Sequence, residues 1–251
     1  MVDTPDLGSG ASRRGGSSPF LGIFSMRPAD LPILFAWEER KPIFHEGMLC
    51  VPRHYDQHET FNLTFKEIFQ NDNPICVEFC SGNGEWIARA AQNYPEYNWI
   101  GVEKQFKRTR QIWSKKQNLS LKNLLPVCGL AEDFCQHYLK DSFIEKAYVN
   151  FPDPWPKNSH AKNRIIQRPF IDMLTKVSRP KTTLTLVTDD ERYSNQMMKV
   201  VSGHPRWESV EDCLLPEDYG SSYFNRLWQG LGKYIRYMKF ELGEHFEATN
   251  C

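Results

Sequence analysis

From Pro74 onward the apolar positions switch regularly between two periods. Short apolar runs, ICVEF at 75–79, NWIGV at 98–102, LLPVC at 124–128, KAYVN at 146–150 and TTLTLVT at 182–188, have the length of strands. Between them GEWIARAAQNY, KQFKRTRQIWSKKQ, EDFCQHYL and DERYSNQMMKVV space their apolar residues three and four apart, as helices do. Strands alternating with helices predict an α/β domain with a doubly wound, mostly parallel sheet. KYIRYMKFEL, near the C-terminus, alternates polar and apolar residues and predicts a half-exposed antiparallel strand. There is no internal repeat.

Upstream of Pro74 the pattern is weaker. Pro28, Pro32, Pro42 and Pro52 interrupt any long element in residues 20–73, which read as an extension packing on the core. Within it TFNLTFKEIF predicts a short amphipathic helix. Residues 1–19 are rich in Gly and Ser and hold too few apolar side chains to offset the entropy of ordering, so a disordered tail is expected. Residues 74–251 form the main domain.

Composition narrows the class. The chain has 251 residues, 40% apolar and 25% charged, as in a soluble globular protein. No apolar run approaches a membrane span, and the N-terminus lacks a signal pattern. Seven cysteines without a C-x-x-C pair suggest neither a disulfide framework nor a zinc site, and a reducing cytoplasm is the simplest location. Cys76 and Cys80 read as small buried residues. His54 and His58 have i, i+4 spacing but no third ligand, so no metal is expected. Trp207 and Trp228 read as core.

A net charge of zero argues against a generally basic nucleic-acid binder, but the charge is unevenly spread. Lys104 to Lys122 holds seven basic residues and no acid; Lys157 to Lys181 holds seven against Asp172 alone. Such runs are either solvated helix faces or a local surface for a polyanion.

Two stretches carry candidate chemistry. In VEFCSGNGEW a strand runs into Gly82 and Gly84, and a helix follows at once. Glycines permit a tight turn and close approach of a ligand, and the helix N-terminus offers free N–H groups. The next strand ends at Glu103, where an acid that holds ribose hydroxyls belongs. Glu78, inside the first strand, is placed to meet an ammonium or sulfonium. NAD and S-adenosylmethionine both fit, although the motif is not G-x-G-x-x-G. The second stretch is NFPDPWPKNSH, at the end of the fourth strand counted from ICVEF. Prolines restrict the residues before them, so Phe151 and Asp153 are expected to be extended and the Asp153 carboxylate to be held in a stiff turn. Trp155 can pack beneath that turn or stack on a base, and packing is the expectation.

VEFCSGNGE, GVEK, NFPDPWPKNSHAKNRI, LVTDD and SSYFNRLWQGLG together resemble the tRNA (guanine-N7-)-methyltransferase family in order and spacing, over about residues 74–240. The resemblance implies a Rossmann-like class I methyltransferase with a seven-stranded sheet, S-adenosylmethionine as cofactor and methylation of a guanosine at N7 in the tRNA variable loop. It assigns Glu78, Gly82, Gly84, Glu103, Leu130 and Asp153 to the cofactor and Asp153 to the reaction centre. Lys157, Asp189 and Ser222, Tyr223, Phe224 and Asn225 match substrate contacts; His160, Lys162 and Arg164 match a basic stretch that meets RNA. A monomer or weak homodimer is expected. The chain departs from the family pattern at Cys80, where the first glycine of G-x-G-x-G stands, at Leu130 in place of an acid or amide, at Asn163 in place of Arg, and at Ser222 and Asn225 in T-x-[FY]-E. The departures at Cys80, Leu130 and Asn225 motivate one rival, a non-catalytic tRNA-binding subunit with the same fold; the Pro-rich turn, of a kind that can also hold an exocyclic NH2, motivates another, a methyltransferase directed at an exocyclic amino group.

Overall fold

The structure is a computed structural model that describes residues 25–31, 41–52, 58, 61–139, 144–210 and 223–244; the tail expected at 1–19, His54 and Ser222 lie outside the described residues. Nine strands form one sheet. They are β1 (Ile43–His45), β2 (Met48–Cys50), β3 (Ile75–Phe79), β4 (Asn98–Glu103), β5 (Leu124–Cys128), β6 (Ile144–Asn150), β7 (Ser178–Thr188), β8 (Trp207–Ser209) and β9 (Arg236–Leu242). Their spatial order is β1-β2-β5-β4-β3-β6-β7-β9-β8. β5, β4, β3, β6 and β7 are mutually parallel, and β9 runs antiparallel between β7 and β8.

The seven strands from β3 to β9 match the expected count. The other two are a correction: they come from the N-terminal extension, whose prolines concealed a hairpin. Its turn, Glu46-Gly47, has φ of 50° and 72°, the left-handed pair a two-residue hairpin requires. A Cβ on Gly47 would sit 2.6 Å from Lys116 Nζ. β2 then adds to β5 in parallel, with Cys50 opposite Cys128.

Helices cover both faces. Strand alternation sends Val77, Phe79, Ile100 and Val102 toward α4 (Ala131–Tyr138), α5 (Arg168–Val177) and α6 (Glu191–Ser202), all in one core cluster. Cys76 and Trp99 face the other way, against α2 (Glu85–Asn93) and Ile112 of α3 (Phe106–Asn118). Trp207 is core, as expected: 3% exposed, its indole N–H donates to Thr175 Oγ1 at 2.8 Å. The helix expected in TFNLTFKEIF is only α1 (Phe65–Phe69), started by a Thr64–Glu67 capping box and closed by Gln70 at φ 57°. Its Phe65 and Phe69 join the main core.

The basic run of α3 largely serves this packing. Lys116 Nζ donates to Gly47 O at 2.9 Å, Lys115 Nζ to Asn83 O at 2.8 Å, and Arg110 to Pro28 O. Burial brings the Lys116 ammonium down to about 8. Lys107 and Lys122 of that run stay exposed. Among the described residues no helix is long and apolar enough to cross a membrane.

Candidate active site

A cleft of about 510 Å³ opens at the C-terminal ends of the parallel strands. It sits where the order turns from β3-β4-β5 to β6-β7, the switch point at which such sheets bind ligands. Cys80, Gly82, Glu103, Leu130, Asp153 and Asp189 line it, each just past or at the end of a strand.

The turn after β3 is left-handed at Cys80, Gly82 and Gly84, with φ of 60°, 56° and 71°. Gly84 is doubly constrained, because a Cβ there would lie 2.5 Å from Ile112 Cγ1. Cys80 holds an L side chain where glycine is free of strain, a cost of about 1 kcal/mol. It is half-buried in the cleft wall rather than in the core as expected, and burial pushes its thiol up to about 12.

Glu78 lies beneath this turn, 2% exposed. Asn150 Nδ2 donates to its Oε1 at 2.7 Å, while its Oε2 is buried without a hydrogen-bond partner. Burial raises the carboxyl to about 8, against the opposing pull of Asn150 and Ser81. Glu103 is 4% exposed; Gly82 N–H donates to Oε2 at 3.0 Å and Gln105 N–H to Oε1 at 2.8 Å. Its pKa is raised by burial despite both bonds. Each oxygen keeps acceptor capacity beyond its single donor. An orphaned buried carboxylate oxygen, a glycine turn and a second buried acid fit a cofactor with an ammonium and a ribose. Leu130, the residue before α4, adds an apolar wall with Val102 and Ala131, and Glu132 lies beside it.

The turn after β6 corrects one expectation. Phe151 is not extended but left-handed at φ 48°, and Trp155, also before a proline, has φ 42°. Phe151 N–H continues the ladder to Val187 O at 2.8 Å, and its ring joins Val187, Trp86 and Tyr148. Those contacts hold a conformation that the following proline disfavours. The Asp153 carboxylate, 62% exposed, faces Lys104 Nζ at 3.9 Å. Trp155 is half-buried, edge-on to His160 at 5.8 Å.

Arg164, expected among the residues that meet RNA, is half-buried and directs its guanidinium inward. Its Nε donates to Pro154 O at 2.6 Å and its Nη2 to Trp155 O at 3.3 Å, Nη1 binds Gln196, and the guanidinium lies 4.9 Å from the Tyr193 ring. A guanidinium fork is suited to clamping adjacent carbonyls, and here it fastens the strained turn. Lys157, His160 and Lys162 are exposed and lie outside the cleft lining.

Asp189 accepts from Lys233 Nζ at 2.5 Å, and Asp190 caps α6 through Tyr193 N–H at 2.7 Å. Tyr223, Phe224 and Asn225 form the first turn of α7 (Tyr223–Gly230). Trp228, expected in the core, is half-buried and lines the cleft. Lys104, Arg108, Trp228 and Lys233 also line the cleft, beyond the residues the sequence pattern marks. Lys104 was recoverable, since it follows Glu103; Lys233 is brought in only by the fold. Among the described residues no group of His, Cys, Asp and Glu is arranged for a metal.

The sheet order and the glycine turn with its two buried acids define a class I methyltransferase. A family described as putative methyltransferase matches residues 72–234. The chain is 42% identical to the tRNA (guanine-N(7)-)-methyltransferase of Chlamydia caviae over 218 residues, 86% of this chain and 97% of the relative. The corresponding protein of Chlamydia felis is 43% identical with the same coverage, and that of Rubrobacter xylanophilus 29% over 72% of this chain and 81% of its own. Among solved structures, the 16S rRNA methyltransferase KamB shares the fold at TM-score 0.54 and 11% identity, covering 71% of this chain and 92% of its own. The chain belongs to the tRNA (guanine-N7-)-methyltransferase family.

Proposed function

We propose that this chain methylates N7 of a guanosine in the variable loop of tRNA, with S-adenosylmethionine as cofactor, in the cytoplasm. The observation that carries the reading is the placement of Asp153 on a clamped prolyl turn in the same cleft as Gly82 and Glu103, with Glu78 buried beneath the glycine turn. The cofactor, when bound, supplies a methyl group on a sulfonium and leaves as a neutral thioether. Glu78 takes its ammonium and Glu103 its ribose hydroxyls.

N7 of guanine carries an in-plane lone pair and no proton, so no general base is needed. When bound, the cofactor would give its methyl to that lone pair, with the C–S bonding electrons staying on sulfur and the positive charge ending on the purine. The chain's task is alignment and electrostatics. Asp153 accepts from the guanine edge and favours the cation as it forms. Lys104 keeps the carboxylate oriented until the base arrives. Lys157, Asp189 and the segment Ser222 to Asn225 contact the nucleotide, and His160 and Lys162 meet phosphates. Leu130 packs on the adenine.

The test is incubation with S-adenosylmethionine and unmodified tRNA, followed by aniline cleavage mapping. Cleavage at one variable-loop guanosine is expected, and Asp153→Asn should reduce turnover at least about a hundredfold, the scale of losing an electrostatic group at a reaction centre. Undiminished turnover in that variant would remove Asp153 from the mechanism. Absence of cleavage with methyl incorporated would point to another atom.

A further inference from the structure

α7 ends in a backbone motif with a consequence for the cleft. Gly232, at φ 70°, turns the chain; Gly232 N–H donates to Gln229 O at 2.9 Å and Lys233 N–H to Trp228 O at 2.9 Å. This cap lays the side chain after the glycine over the side chain five residues earlier, a contact an apolar residue ordinarily fills. Here it places the Lys233 ammonium 3.7 Å from the centroid of the Trp228 ring. The same ammonium reaches Asp189 Oδ2 at 2.5 Å, and the Asp189 side chain is only 16% exposed. An aromatic face and a largely buried carboxylate thus flank one partly exposed cation, and all three residues line the cleft that holds Asp153. Asp190 beside them is occupied as the α6 cap, which leaves Asp189 as the acid of this corner.

A positive charge over an indole face, with a carboxylate at its side, is a recognition geometry for cations in general. Building on the proposed N7 methylation, the substrate is a neutral base and the product a cationic one. We propose that Trp228 and Asp189 form the seat for the purine as it becomes cationic, and that the Lys233 ammonium occupies this seat until the base displaces it. The pair then binds the methylated state more strongly than the unmethylated one. Lys233 makes the seat competitive, so that it does not retain product.

The experiment compares 7-methylguanosine with guanosine as ligands of the full chain, by ligand-observed NMR titration below neutral pH, where the methylated base is cationic. The wild type should prefer 7-methylguanosine. Lys233→Met should tighten 7-methylguanosine by about 2- to 30-fold, the equivalent of one cation–π contact, and leave guanosine nearly unchanged. Trp228→Phe, which keeps a packed ring with a weaker face, should lower the preference, and Trp228→Leu should abolish it. Thermal melts report whether each variant is folded, and the Phe variant keeps the comparison available if the Leu variant is not. Weaker binding of 7-methylguanosine to Lys233→Met would make Lys233 a direct contact and overturn the proposal, as would equal binding of both nucleosides by the wild type. If these results fail while aniline mapping still finds N7-methylated tRNA, only the cation seat falls; if mapping fails, the N7 reading falls with it.

Discussion

If Glu78 takes the cofactor ammonium as proposed, cofactor binding becomes a proton-release event. The Glu78 carboxyl is 2% exposed and raised by burial to about 8. At neutral pH, one unit lower, about nine in ten molecules therefore hold it neutral. A cofactor ammonium pairing with it favours the ionised form, so binding near pH 7 should expel about 0.9 proton from this residue. Apparent affinity should rise by up to about tenfold per pH unit as pH climbs toward 8. It then levels, and turns over once the ligand's own α-amino group loses its charge at higher pH. The stability of the free protein runs the other way. The folded state prefers the neutral acid, so this contribution is full below the ordinary glutamate value and is lost as pH rises through the raised one. Calorimetry with S-adenosylhomocysteine in two buffers of different ionisation enthalpy measures the released protons. Glu78→Gln should abolish most of the release and flatten the loss of stability with pH. Wild-type binding without proton release near pH 7, or equal release in Glu78→Gln, would refute the argument.

Gly84→Ala combines a left-handed φ with a 2.5 Å approach to Ile112, and urea denaturation should show a loss of at least about 2 kcal/mol, from strain plus overpacking. Arg164→Lys keeps the charge but loses the fork on Pro154 and Trp155; turnover should fall at least about tenfold while the salt dependence of tRNA binding is unchanged, whereas a phosphate contact would tolerate lysine. Lys162→Ala, at an exposed position, should weaken tRNA binding and reduce the salt slope by up to about one unit, with cofactor affinity intact.

Much of this molecule was present in local pattern. The parallel strands, the helices α2, α3, α4 and α6 and the antiparallel strand β9 follow from apolar spacing, because a two-sided sheet demands continuous apolar runs and its covering helices demand an apolar stripe, whereas α5 was not read from the pattern. The glycine turn was legible because left-handed backbone leaves few residues to choose from, and Glu78, Glu103 and Asp153 because each stands at or near a strand's C-terminal end, where the ligand crevice of such a sheet must open. The N-terminal hairpin was hidden, since three-residue strands carry little pattern and draw their stability from packing on β5, α3 and the core. Side-chain direction was also beyond reach. A basic run looks the same whether its members face phosphates or buried carbonyls, and only packing turned Arg164 and Lys116 inward. The fold alone carried Lys233 and Trp228 from the C-terminal region to Asp189, because a long-range pairing of charges depends on how the chain closes rather than on its spacing along it.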